Sequence, residues 1–272
     1  MKTDRAWLIG LTLPVAVMFL TFFVIPLAKL FVIGGSGELG WSAYGAAFVE
    51  ARYWRSMVST VILSVIVTVT TLIISGIAGV FLARHEFAGR QVLTALLTLP
   101  LAFPGVVIGF MVIMLGGRQG LIPNITNVLF GERLVFAYSM VGLFIGYIYF
   151  SIPRTILTVI AAAEKLDPQL IEAARSLGAS NWRVLVDVLI PGLQPALLAA
   201  GAICFATSMG AFGTAFTLAT KIDVLPMIIY TEFTLQANIA MAAALSFVLG
   251  LLTWSALAFA RSLTGNVVAA AA

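Results

Sequence analysis

His85 is the sole histidine and Cys204 the sole cysteine of the chain. No pair of imidazoles or thiolates can therefore hold a metal ion, and no disulfide can close within the chain. His85 stands beside Arg84 and Glu86 at a turn, where a solvated side chain is expected; Cys204 lies in an apolar run and reads as a small buried hydrophobe. Gly35-Ser36-Gly37-Glu38-Leu39-Gly40 fits the glycine spacing of a dinucleotide loop, but no strand precedes it and no βαβ unit surrounds it, so it reads as a plain loop. Neither G-x-x-x-x-G-K-[ST] nor G-x-S-x-G occurs, and no apolar run carries paired carboxylates. These residues support no enzyme chemistry and call for no cofactor. If ATP drives this protein, another chain must bind it.

The charged groups with meaningful spacing fall between Asp167 and Pro191. Asp167 can accept from the free N–H groups of a first helical turn, and Pro168 has the fixed φ suited to that turn. Leu170, Ala173, Ala174 and Leu177 then share one face, and Gly178 stands where a left-handed cap is wanted. Ser180 caps a second helix with an apolar stripe of Trp182, Leu185, Val186 and Leu189, with Arg183 and Asp187 paired at four-residue spacing and Pro191 as the stop. Glu172 can pair with Arg175 one turn on. A short helix–turn–helix with an apolar stripe on each helix must dock into something.

The elements that hold this stretch are membrane spans. The chain is 61% apolar and 10% charged, with mean hydropathy +1.10, more than any soluble core requires. The fold class is an all-α integral membrane protein, a single transmembrane domain over 1–272 with six spans at about 6–33, 56–83, 92–116, 134–163, 193–220 and 237–260. The loop 164–191 lies between spans four and five. Net charge is +4, yet the basic residues are scattered singly, so the excess reads as topology among membrane lipids and not as nucleic-acid binding. Lys2, Arg5, Arg84, Arg90, Lys165, Arg175, Arg183 and Arg261 count as inside. Arg52, Arg55, Arg118, Arg133 and Lys221 count as outside, which puts both termini in the cytoplasm. Pro14 and Pro26 should bend the first span, and Pro100 and Pro104 should break the third near a cavity. The segments 34–55 and 117–133 read as polar loops, Asp223 and Glu232 belong to an outer loop, and 265–272 reads as a disordered tail. Gly105-x-x-x-Gly109 and Gly142-x-x-x-Gly146 offer close helix approach, although chance explains such pairs as well. Arg154 falls near the inner interface. Spans two, three, five and six carry no ionisable residue centrally, which disfavours an ion-coupled carrier or channel subunit, the alternative function.

Glu172-Ala173-Ala174, three residues, Gly178, nine residues, then Val188-Leu189-Ile190-Pro191 resembles the EAA loop of bacterial ATP-binding-cassette (ABC) importer permeases of type I. The resemblance implies that Glu172, Ala173, Ala174, Gly178 and Pro191 couple the chain to a cytoplasmic ABC ATPase dimer. It implies three further expectations: a second permease subunit that is a different chain, an extracytoplasmic solute-binding protein, and a bacterial inner-membrane location. Ser208-Met209-Gly210-Ala211-Phe212-Gly213-Thr214 resembles the S-x-G-E-F-G region of permeases for polyamines, iron(III), thiamine, sulfate and phosphonate. Leu225-Pro226-x-Ile228-Ile229-Tyr230 resembles their L-P-x-x-I-Y stretch, and Ala211 replaces a glutamate found in several of them. On this resemblance Met209, Gly210, Phe212 and Gly213 line or gate a translocation path, though plain helix packing explains the same residues. A polyamine or another small charged organic solute is the expected substrate.

Overall fold

The computed structural model describes residues 5–218 and 222–264; Lys2, Lys221 and the 265–272 tail lie outside the described residues. Among the described residues there is no strand, and six stretches are helical and apolar enough to cross a membrane: Gly10–Gly34, Ala51–Arg84, Gly105–Phe130, Met140–Glu164, Asn181–Met209 and Ile239–Ser262. The chain divides into two units, one of residues up to Met57 with Ile228–Leu251, the other of Val58–Met227 with the residues from Leu252 onward.

In the first unit, α1 (Arg5–Phe19) passes into a π turn at Leu20–Val24 and then α2 (Ile25–Gly34), with Pro26 in the first turn of α2. A proline ring clashes with the carbonyl four residues back in a regular α-helix, and a widened turn relieves that clash. The apolar core of this first span has no buried residue, so lipid or another chain must cover it. The expected loop after it is partly helical: α3 covers Ala43–Val49, and α4 (Ala51–Arg84) begins five residues before the predicted span. Glu50 is extended and Ala51 starts afresh, because nothing in Ala51–Arg55 opposes helix and both arginines favour it. The Phe31 ring packs at a tilt against those of Trp41, Tyr44 and Phe247, with centroids 5.2, 5.4 and 4.9 Å away, and the Tyr44 hydroxyl donates to the Phe31 carbonyl at 2.6 Å. Burial pushes that hydroxyl's pKa up.

Glu232 corrects the outer-loop expectation. It lies in α13 (Leu225–Thr234), fully buried, where one carboxylate oxygen accepts from Arg52 Nη1 and from the Tyr53 hydroxyl, each at 3.1 Å. With its amide nitrogen toward the carboxylate, Gln236 donates to Glu232 Oε2 at 2.9 Å and accepts from Arg52 at 3.0 Å. A carboxylate can be buried only when paired and hydrogen-bonded in this way. The last helix, α14, runs Ile239–Thr264.

In the second unit the predicted third span is not one helix. α5 (Arg90–Thr98) ends in a 3₁₀ turn at Leu99–Ala102, the chain turns extended at Phe103 and Pro104, and α6 (Gly105–Gly116) starts anew. The break follows from Pro104, which disfavours helical geometry at the residue before it. The segment read as a polar loop carries α7 (Leu121–Phe130), closed by Gly131 at φ 72°. α8 (Met140–Glu164) is capped by Ser139 and is followed by α9 (Pro168–Ser176), α10 (Asn181–Val184), a second π turn at Leu185–Leu189, α11 (Ile190–Met209) and α12 (Gly213–Leu218).

Three helices meet closely through glycine. A Cβ on Gly109 would stand 2.6 Å from Thr217 Cβ, one on Gly146 would stand 2.7 Å from Thr214 Cγ2, and one on Gly213 would stand 3.1 Å from the Val106 nitrogen. Thr214 Oγ1 donates to the Gly105 carbonyl at 2.9 Å, which joins α12 to the start of α6. Both small-residue patterns are thus packing contacts, consistent with how membrane helices approach where small residues permit it.

Candidate functional site

The α9–α10 loop is shaped by its own residues. Asp167 Oδ1 accepts from the Gln169 N–H at 2.9 Å, with Pro168 in the first turn. Gly178 has φ 81°; its N–H donates to the Arg175 carbonyl at 2.9 Å and the Ala179 N–H to the Ala174 carbonyl at 3.0 Å, so the last carbonyls of α9 are satisfied. Ser180 Oγ accepts from the Arg183 N–H at 3.4 Å and starts α10. Glu172, Ala173 and Gly178 are exposed and Ala174 is half-buried.

Two expectations fail here, and both for one reason. Pro191 does not end the helix: it sits in the first turn of α11, and Asn181–Met209 runs on as one apolar helical stretch. Arg183 and Asp187 form no ion pair; among the described residues the ion pairs are Arg52–Glu232 and Arg90–Glu164. The π turn at Leu185–Leu189 accounts for both. Its wider winding accommodates the proline ring and shifts Asp187 off the four-residue register. Leu185-Val186-Asp187-Val188-Leu189-Ile190-Pro191 repeats the arrangement of Leu20-Thr21-Phe22-Phe23-Val24-Ile25-Pro26, a π turn followed by Ile-Pro.

The stripe of α9 faces outward: Leu177 is 89% exposed, Leu170 55% and Trp182 of α10 71%. Behind the loop a groove of about 1010 Å³ lies between α9, α10 and the end of α4, with Phe81, Glu172, Arg175 and Trp182 among its walls. Arg90 holds Glu164 at 2.9 Å, and Arg84 Nη2 donates to the Leu166 carbonyl at 3.4 Å, so the α4–α5 turn is fastened to the end of α8 just before α9. His85 in that turn stacks on Phe81 at 4.6 Å.

At its other end α11 stops at Met209, and Gly210–Phe212 leave helical geometry before α12. The buried Tyr147 hydroxyl donates to the Ala211 carbonyl, which fixes this break to α8. The break faces a cavity of about 330 Å³ whose walls include Phe103, Arg154, Thr207, Ala211 and Gly213. Two interrupted helices therefore open on one cavity, as broken helices of membrane proteins do where they line a space inside the protein.

The family model described as binding-protein-dependent transport system inner membrane component matches residues 75–268. The chain belongs to this family. The permease is 30% identical over 260 residues to the sulfate transport system permease protein CysT of Escherichia coli, covering 89% of each chain. It is 27% identical over 268 residues to PhnU of Salmonella typhimurium, named for 2-aminoethylphosphonate transport, covering 95% of this chain and 93% of that one. ModB of Escherichia coli, a molybdenum transport system permease protein, is 32% identical over 185 residues, covering 63% of this chain and 77% of that one. The fold matches the crystal structure of a bacterial ABC transporter that imports alginate, with TM-score 0.78, 18% identity and 97% of both chains covered.

The permease thus brings its expected residues into two places. Glu172, Ala173, Ala174, Gly178 and Pro191 lie on or directly after the α9–α10 loop, while Gly210, Phe212 and Gly213 lie at the α11–α12 break. Met209, expected as a gate side chain, is fully buried, because the last turn of α11 points it into the core. Phe212 is half-buried and packs on Phe216 at 5.3 Å. The sequence reading assigned no role to Tyr147 and placed Arg154 near the inner interface; Arg154 instead stands ten residues before the end of α8, beside the cavity.

Proposed function

We propose that the permease is one of two membrane subunits of an ABC importer, that its α9–α10 loop docks on a cytoplasmic ATPase dimer, and that the second permease is a different chain. An external binding protein delivers a small solute to the cavity at the helix breaks. The observation that carries this reading is mechanical: α10 continues through the π turn into α11, and α11 ends at the break that borders the cavity. Closure of an ATPase dimer that moves the loop would therefore act on the break through one helix, the kind of gating by which transporters alternate access. Exposed Leu170, Leu177 and Trp182 supply an apolar docking face, with Glu172 beside it. The relatives named for 2-aminoethylphosphonate, molybdenum and sulfate lend the polyamine expectation no support.

The test is affinity purification of the tagged permease from its host in mild detergent, comparing the intact chain with Glu172→Ala and Leu177→Glu. Recovery of a P-loop ATPase with the intact chain, reduced in both variants, is the expected result. Equal recovery with all three would place the docking surface elsewhere.

A further inference from the structure

Arg154 lies past the midpoint of the 25-residue α8, about 15 Å from its end at the usual helical rise. It is exposed, and its guanidinium has no ion-pair or hydrogen-bond partner among the described residues. An arginine inside a membrane span is costly unless it pairs or faces an aqueous cavity, and Arg154 borders two spaces, one of them a cavity of ligand size. One is the cavity of about 330 Å³ at the two helix breaks, shared with Thr207. The other is an adjoining recess of about 20 Å³ walled by Ser151, Thr155, Thr158 and Thr207. Ser151 is 4% exposed, and its hydroxyl also lacks a partner.

No carboxylate lines either space. Arg154 is the one charged residue on the wall of the larger one, which is therefore cationic. A guanidinium offers five donors and no acceptor in a planar fork that matches an oxyanion bidentately, and the unpartnered Ser151 hydroxyl can add one more, whereas Thr207 Oγ1 already donates to the Ile203 and Cys204 carbonyls at 2.9 and 3.0 Å. The volume is at the small end of the ligand-pocket range of roughly 300–1,000 Å³. It admits a tetrahedral oxyanion with a short organic tail.

We propose that Arg154, with Ser151, forms a transit site for the oxyanion group of a small anionic solute at the paired helix breaks. This rests on the permease reading above and sets the sign of its substrate. The cavity lies between α8, which carries both donors, and α11, so a change in the angle between these helices reshapes the space around Arg154 and releases the anion.

The probe is radiolabelled sulfate, measured by equilibrium binding to the permease purified with the chains that accompany it, and competed by unlabelled molybdate, 2-aminoethylphosphonate or putrescine. The expected result is saturable binding that weakens at least tenfold in Arg154→Gln, several-fold in Ser151→Ala, and less than tenfold in Arg154→Lys. Oxyanions should displace the label and putrescine should not. In the wild type, sulfate should slow phenylglyoxal modification of Arg154 as read by mass spectrometry, a measurement independent of any variant's folding. Equal binding by wild type and Arg154→Gln, no binding by wild type, or unslowed modification of Arg154 overturns the site. ATPase recovery is scored in the same samples: if it persists while sulfate is ignored, the transit site fails and the importer reading stands.

Discussion

Gly178 offers a direct separation of backbone conformation from space. At φ 81° it occupies the left-handed region, yet a Cβ built there meets nothing within 4 Å. A side chain at this position is therefore opposed by conformation alone within the chain. For an ordinary L-residue the left-handed region costs about 1–2 kcal/mol, and for asparagine less. The strained loop can relax by unwinding the last turn of α9, which carries the Arg175 and Ala174 carbonyls that the Gly178 and Ala179 N–H groups satisfy. Such unwinding reorients the Glu172–Ala174 face, on which the proposed docking depends. A penalty of about 1–2 kcal/mol corresponds to a factor of about 5–30 in the correctly formed loop, an upper bound on the effect. The assay is binding-protein-stimulated ATPase activity of the reconstituted importer. The expected order is Gly178 and Gly178→Asn together, then Gly178→Ala, then Gly178→Val. If Gly178→Asn is as damaging as Gly178→Val, contact space against a partner matters and the conformational argument is refuted; wild-type activity in Gly178→Val refutes it as well.

Two further substitutions address the scaffold. Glu232→Ala strands the Tyr53 hydroxyl and Arg52; because Arg52 is about half exposed and can be solvated, the loss should be about 1–3 kcal/mol, visible as a lower melting temperature in detergent, with Glu232→Gln milder. Gly109→Ala drives a methyl to 2.6 Å from Thr217 Cβ and should destabilise by about 1–3 kcal/mol, whereas Gly250→Ala in α14 meets nothing within 4 Å and should be neutral or stabilising by up to about 1 kcal/mol, both read by the same melts.

What was legible in the sequence was local. Asp167, Gly178 and Ser180 act on backbone groups two to four residues away, so their types and order predict the loop's turns without any tertiary knowledge. The stop at Pro191 was misread because the proline rule presumes α geometry, and a π turn upstream removes the clash on which the rule rests. Glu232 read as an outer-loop charge because its partners Arg52 and Tyr53 lie 180 and 179 residues away in sequence. The value of Gly109 and Gly146 depends on Thr217 and Thr214 arriving opposite them, which periodicity alone does not reveal. Arg154 read as a charge near the inner interface, because the cavities beside it arise from two helix breaks distant in sequence.

The two ends of the α9–α10 loop reach the cavity by different routes. One route is continuous, from α10 through the π turn into α11 and so to Gly210. The other passes from α9 through three residues to the end of α8, which Arg90 and Arg84 hold, and then up α8 to Arg154 and Tyr147. These routes meet where the Tyr147 hydroxyl grips the Ala211 carbonyl. A displacement of the loop as a unit must therefore either move α8 and α11 together, leaving the cavity unchanged, or be absorbed unequally. The π turn lies on only one of the two routes, and its wider winding makes it the more compliant element. Unequal compliance turns a translation of the loop into a change of angle between α8 and α11, and that change is felt at the residues between them, Arg154 and Thr207.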